Sequence, residues 1–145
     1  LFQTEKFAGQ SLVVDGTGVG RPVVDIIRKL RPECRLLPVT ITGSAAQQAL
    51  GKLHVDEWGY WHVPKKELVG TVQAILGTNR LEIAPKLVHA ATLVHELKNF
   101  SYKINAATAH VSLESWRERD HDDLVLALAL AAWAGERARQ ELWVK

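Results

Sequence analysis

The feature that most restricts the fold is the apolar run from Leu124 to Ala134, which is entered through His121-Asp122-Asp123. A helix that is apolar on almost every side belongs in the middle of a domain. The rest of the chain must then supply layers that cover it. With 145 residues, 47% of them hydrophobic and 23% charged, one compact domain over residues 1–145 is expected. The run is far shorter than the ~20 residues of a membrane-spanning helix, and the opening residues lack the pattern of a secretory signal. No membrane partner is expected.

Strand and helix patterns alternate before that run. Leu12-Val13-Val14-Asp15 is a short apolar strand, followed by Gly16-Thr17-Gly18-Val19-Gly20. After Arg21-Pro22, apolar residues recur with helical spacing from Val23 to Leu30, and proline suits the first turn of a helix. Leu36 to Ile41 reads as a second strand, residues 45–59 as loop, and Tyr60 to Val63 as a short strand. Pro64 opens a helix that Gly77-Thr78-Asn79 stops. Arg80 to Ile83 alternates as a strand. Leu87 to Phe100 reads as a helix with Leu87, Ala91, Val94 and Leu97 on one stripe. Ser101 to Asn105 and His110 to Leu113 are further strand candidates, and the last helix is expected from His121 to Leu142. The fold class is α/β, a mixed sheet flanked by helices.

Two acidic features stand out. Asp15 lies at the carboxyl end of a strand, where open α/β sheets gather ligand-binding groups, although an aspartate before glycine also serves as a turn cap. Asp122 and Asp123 open the apolar helix. One such residue suffices as a cap, and a pair leading into a buried helix is better explained by a cation between helix and sheet. Hard carboxylate oxygens suit Mg²⁺ or Mn²⁺.

The other motifs exclude more than they assign. Arg21 stands where a dinucleotide fingerprint needs its third glycine, and Gly20 is followed by Arg21-Pro22 rather than the lysine and hydroxyl of a phosphate loop. A nucleotide-binding α/β domain is therefore disfavoured. His89 and His95 do not have the spacing of a zinc-binding H-E-x-x-H helix, since Glu96 follows the second histidine rather than the first, and the two histidines are expected to be packing or surface residues. The single cysteine, Cys34, allows no intrachain disulfide and fits a reducing interior. The five tryptophans read as core or rim aromatics. A net charge of +2 argues for no polyanion by itself, but Arg21, Lys65, Lys66, Arg117 and Arg119 would hold phosphates if they surround the acidic site.

Five segments together resemble the nuclease domain of phage terminase large subunits. They are Leu12 to Asp25, Pro38 to Gly43, Trp61 to Val69, Glu96 to Phe100 and His121 to Ala127, in the same order and spread over nearly the whole chain. The resemblance implies an RNase H-like fold and a metal-dependent endonuclease that cuts concatemeric double-stranded viral DNA during genome packaging. It implies Asp15, Asp122 and Asp123 as metal-holding carboxylates, with His121 positioning water or a phosphate. It also implies two ions about 3.5–4 Å apart. The implied partners are a packaging ATPase domain, a small terminase subunit and a portal, in the cytoplasm of a bacterial host. The family's domain opens with a strand hairpin carrying another aspartate. Here only about ten residues precede Leu12, none forming a suitable strand, and the chain has no methionine, so an N-terminally truncated domain is expected. The rival expectation is an inactive prophage remnant that keeps the fold and some DNA or protein binding.

Overall fold

A computed structural model describes residues 9–30, 32–43, 53–107 and 123–143. Among these residues there are four strands and four helices, a mixed α/β chain. The strands are β1 (Ser11–Asp15), β2 (Arg35–Thr42), β3 (His54–Val55) and β4 (Trp61–Pro64), and the helices are α1 (Gly20–Lys29), α2 (Lys65–Gly77), α3 (Ala90–Ala107) and α4 (Asp123–Trp143). The chain divides into two compact units, residues 1–68 and 69–145, and each is described by itself.

The first unit holds the whole sheet, in the order β1-β2-β4-β3. β1 runs parallel to β2 with Asp15 opposite Val39, and β2 runs parallel to β4 with Val39 opposite Trp61. β3 closes the edge as the antiparallel arm of a hairpin, with His54 opposite His62. Parallel neighbours need a crossover, and α1 supplies it between β1 and β2. The three parallel strands end on one edge of the sheet, at Asp15, Thr42 and Pro64. Val24, Val39, Tyr60, Val63 and Leu68 form this unit's core.

The glycine turn after β1 forms as its sequence requires. Gly18 has φ +59°, a conformation that favours glycine. A Cβ on Gly20 would lie 2.4 Å from the Asp15 carbonyl oxygen, and one on Gly16 would lie 2.6 Å from Cε1 of Tyr60. The chain can reverse this tightly only without side chains at those positions.

In the second unit α4 packs against α3. Val125, Ala129, Leu130 and Trp133 are buried along α4, with Leu97 buried on α3. The α2 C-terminus closes as a Schellman motif. Asn79 has φ +52°, the Arg80 N–H donates to the Ile75 carbonyl, and the Asn79 N–H donates to Leu76.

Several expectations need correction. Ser101 to Asn105 is helical, because α3 runs unbroken to Ala107 and no glycine or proline interrupts residues 90–107. Five alternating residues are too few to override that continuity. Arg80 to Ile83 forms no strand; the Arg80 backbone locks the end of α2, and its guanidinium pairs with Glu136 at 2.6 Å. Of the expected stripe on α3 only Leu97 is buried; Leu87, Ala91 and Val94 are exposed, and Glu96 is buried beside Leu97 instead. The segment read as loop contains β3, α2 begins at Lys65 rather than Pro64, and α3 begins at Ala90 rather than Leu87. α4 is not buried on every side: Ala127 and Ala131 face outward, where a methyl side chain costs little. Residues 110–113 lie outside the described residues.

Candidate functional site

Asp15 ends β1 and is half-buried. Its Oδ1 accepts the Thr17 backbone N–H at 2.8 Å and also the Thr17 hydroxyl. Thr17 Oγ1 in turn accepts the Ile41 N–H at 2.9 Å, and the Gly16 N–H donates to the Val39 carbonyl at 2.7 Å. The carboxylate is thus fixed to β2 through the threonine. This is an aspartate turn of the kind expected of the residue's ordinary structural role, set at the carboxyl edge of the parallel strands.

Arg21 follows the same turn, in the first turn of α1. That helix start has no side-chain cap and no acidic residue in its first turn, so the positive end of the helix dipole and Arg21 add positive charge there. Lys65 and Lys66 follow β4 directly, on the sheet edge where Asp15 also lies. Lys66 is exposed and Lys65 half-buried.

The second acidic position belongs to the other unit. Asp123 is the first residue of α4 and is exposed. Asp122, His121, Arg117 and Arg119 lie outside the described residues. The residue that organises this helix start was weighed in the sequence only against a zinc-binding pattern and within a segment: Glu96 of α3, which is 7% exposed. Its Oε2 accepts the backbone N–H groups of Leu124 and Val125, each at 3.0 Å. In a helix starting at Asp123 these are the second and third N–H groups, the two that an N-cap side chain addresses. Capping is therefore done from another helix by a buried carboxylate. A glutamate sharing a face with Leu93 and Leu97, at the i, i+3, i+4 spacing, was the available signal.

No protein-family model, curated protein or solved structure matches the chain.

The β3–β4 hairpin carries a polar cluster that spacing did not reveal. Asp56 Oδ1 accepts the N–H groups of Trp58 and Tyr60 at 3.0 and 2.8 Å, and its Oδ2 lies 3.0 Å from His62 Nε2. His62 stacks on His54 with ring centroids 4.6 Å apart and planes within 5°. Desolvation raises the Asp56 pKa, but the His62 hydrogen bond, the two backbone N–H groups and the His62 charge together hold it below the usual carboxylate value.

His89 and His95 are both exposed, and His95 pairs with Asn99 at 3.1 Å, as surface residues do. Among the described residues, no group of three or more histidine, cysteine, aspartate or glutamate side chains lies close enough to hold a metal ion. No helix among them is long and apolar enough to cross a membrane.

Proposed function

We propose that this chain is a metal-dependent endonuclease domain of the phage terminase type, with an RNase H-like arrangement, acting on double-stranded viral DNA in the bacterial cytoplasm during packaging. The observation that carries the reading is the position of Asp15. It stands at the carboxyl end of a parallel strand, ahead of a glycine turn and helix, where open α/β sheets gather ligand-binding groups. The cap supplied by Glu96 adds support, because the Asp122–Asp123 pair is then not needed to satisfy the Leu124 and Val125 N–H groups.

By the resemblance, Asp15, Asp122 and Asp123 would be the metal-holding residues, and carboxylate oxygens of this kind suit Mg²⁺ or Mn²⁺. When bound, such ions offset the charge that builds up on phosphate during hydrolysis. The chain's own contributions are distinct. Thr17 fixes the Asp15 carboxylate, Glu96 fixes the start of α4, and Arg21, Lys65 and Lys66 offer charge to the DNA backbone. By the resemblance, the ATPase domain, small subunit and portal would be partners, and His121, Arg117 and Arg119 would complete the phosphate contacts.

The test is divalent-dependent nicking of supercoiled plasmid. Asp15→Asn and Asp123→Asn are expected to abolish it, and nicking by Asp15→Asn at the parent rate refutes the assignment. The second reading, an inactive remnant, is favoured by the engagement of Asp15 Oδ1 with the Thr17 backbone N–H and hydroxyl, the ordinary structural role of such an aspartate. It predicts no Mn²⁺ binding in a calorimetric titration.

A further inference from the structure

The strongest unassigned feature is a line of contacts that begins at the glycine turn after Asp15 and ends at the tip of the β3–β4 hairpin. Gly16 lies against the ring of Tyr60, so closely that a Cβ there would collide with it. The Arg21 guanidinium lies 5.3 Å from the centre of that ring and the Arg28 guanidinium 5.1 Å. The two arginines are seven residues apart, two turns of α1, and the ring holds both by cation–π attraction. Arg28 also donates to the Trp58 carbonyl at 2.8 Å. Acids near this line are Asp15 just before the glycine turn, Asp25, 3.6 Å from Arg28, Asp56, whose carboxylate is spent on the hairpin backbone and His62, and Glu57 in the hairpin turn.

Trp58 is the unusual member. It is 68% exposed, a large apolar surface left in water. Yet its backbone is pinned by the Asp56 carboxylate, by Arg28, and by a turn in which the Gly59 N–H meets the Asp56 carbonyl at 3.0 Å. Holding the backbone beneath an exposed aromatic side chain lowers the ordering cost when a flat partner stacks on it. A row of two guanidiniums leading to such a ring matches a backbone of phosphates with accessible bases, since stacking on aromatic side chains and cationic tracking of phosphates are how unpaired strands are held.

We propose that Arg21, Arg28 and Trp58 form a contact face for single-stranded DNA, with the arginines on phosphates and Trp58 stacked on an unpaired base. The proposal rests on the nuclease reading for its biological setting. It narrows that reading to substrates in which a strand is locally unpaired beside the cut.

The experiment is fluorescence anisotropy with a labelled 15-nucleotide oligothymidylate in EDTA, so that binding is scored without divalent ions or cleavage. The parent chain is expected to bind it more tightly than a duplex of equal length. Trp58→Ala should weaken oligothymidylate binding about fivefold to a hundredfold, while Trp58→Phe, which keeps an aromatic face, stays within about threefold. Arg21→Gln should lower the slope of log K against log salt by about 0.7 for one lost single-strand phosphate contact. Arg21 is exposed and its ring contact lies outside the hairpin's hydrogen bonds, so this variant also guards against misfolding in the hairpin variants. Three results overturn the proposal: no binding by the parent, Trp58→Ala binding within twofold of the parent, or an unchanged salt slope in Arg21→Gln. Self-association lost in Trp58→Ala without any change in DNA binding would also overturn it, by assigning the face to a protein. Nicking abolished by Asp15→Asn together with unaltered oligothymidylate binding in all three variants would leave the nuclease reading standing and this face refuted.

Discussion

Glu96→Ala tests the assignment of the α4 cap most directly. The substitution removes one carboxylate oxygen that accepts two N–H groups at 3.0 Å. Val125 is fully buried, so its N–H would lose its acceptor where water has little access. Leu124 is half-buried, and its N–H can be partly rehydrated. An unmet buried donor costs about 1–3 kcal/mol, and losing a negative charge at a helix N-terminus costs a further ~0.3–1 kcal/mol. Taking the middle of the range for Val125, the lower end for Leu124 and the charge contribution together, Glu96→Ala should cost about 3–4 kcal/mol. Glu96→Gln keeps an acceptor but loses the charge, and should cost about 1 kcal/mol. The assay is urea unfolding at constant m, paired with hydrogen exchange at the Leu124 and Val125 amides, where protection should fall first. Asp123→Asn is the control. Because its carboxylate is exposed and the two donors are already met, its cost should stay within about 0.5 kcal/mol. A Glu96→Ala loss under 1 kcal/mol with both amides still protected would refute the assigned cap. An Asp123→Asn loss as large as that of Glu96→Ala would return the capping role to the aspartates.

The glycine turn gives a second prediction. Gly20→Ala should cost more than Gly16→Ala in thermal unfolding, because its Cβ meets the Asp15 backbone carbonyl whereas that of Gly16 meets the Tyr60 ring; overpacking of this kind costs about 1–3 kcal/mol, and a reversed order would refute the reasoning. The hairpin gives a third. The folded Asp56 pKa is depressed, so the stability it contributes is present above its unfolded value near 3.8 and is lost as the pH falls through the folded pKa. Asp56→Asn should therefore flatten the acid limb of a stability-against-pH profile below about pH 4, and an unchanged limb would count against the His62 pairing.

Local chemistry made the strand-turn-helix unit legible. Gly18 needs a positive φ, Gly20 needs the space beside a carbonyl, and proline fits a helix start, all of which follow from short-range sterics. The stop of α2 at Gly77-Thr78-Asn79 was legible for the same reason. What was not legible depended on partners remote in sequence. β3 is two residues long and exists only by pairing with β4. The buried stripe of α3 was displaced because a glutamate occupies part of it, held by the start of a helix 28 residues later. Trp58 looked like any other tryptophan until the hairpin carried it into solvent. Periodicity assumes that polar side chains face water, and Glu96 breaks that assumption by finding two backbone donors inside.

The same observation reshapes the case for the acidic residues. A pair of aspartates before a helix has a structural use and a chemical one, and the sequence offers no way to divide them. Glu96 supplies the division for α4, since the donors that would have justified an aspartate cap already have a carboxylate. Asp15 stands differently, because its Oδ1 is engaged in the turn it precedes. The two positions therefore make unequal predictions under amidation. Asp15→Asn also weakens a turn, so loss of nicking in that variant needs a stability measurement beside it. Asp123→Asn removes charge from a helix start that is already capped, and a loss of nicking there has no structural explanation to compete with it. For α4, Asp123 is thus the more decisive substitution, even though Asp15 is the residue whose position first drew the nuclease reading.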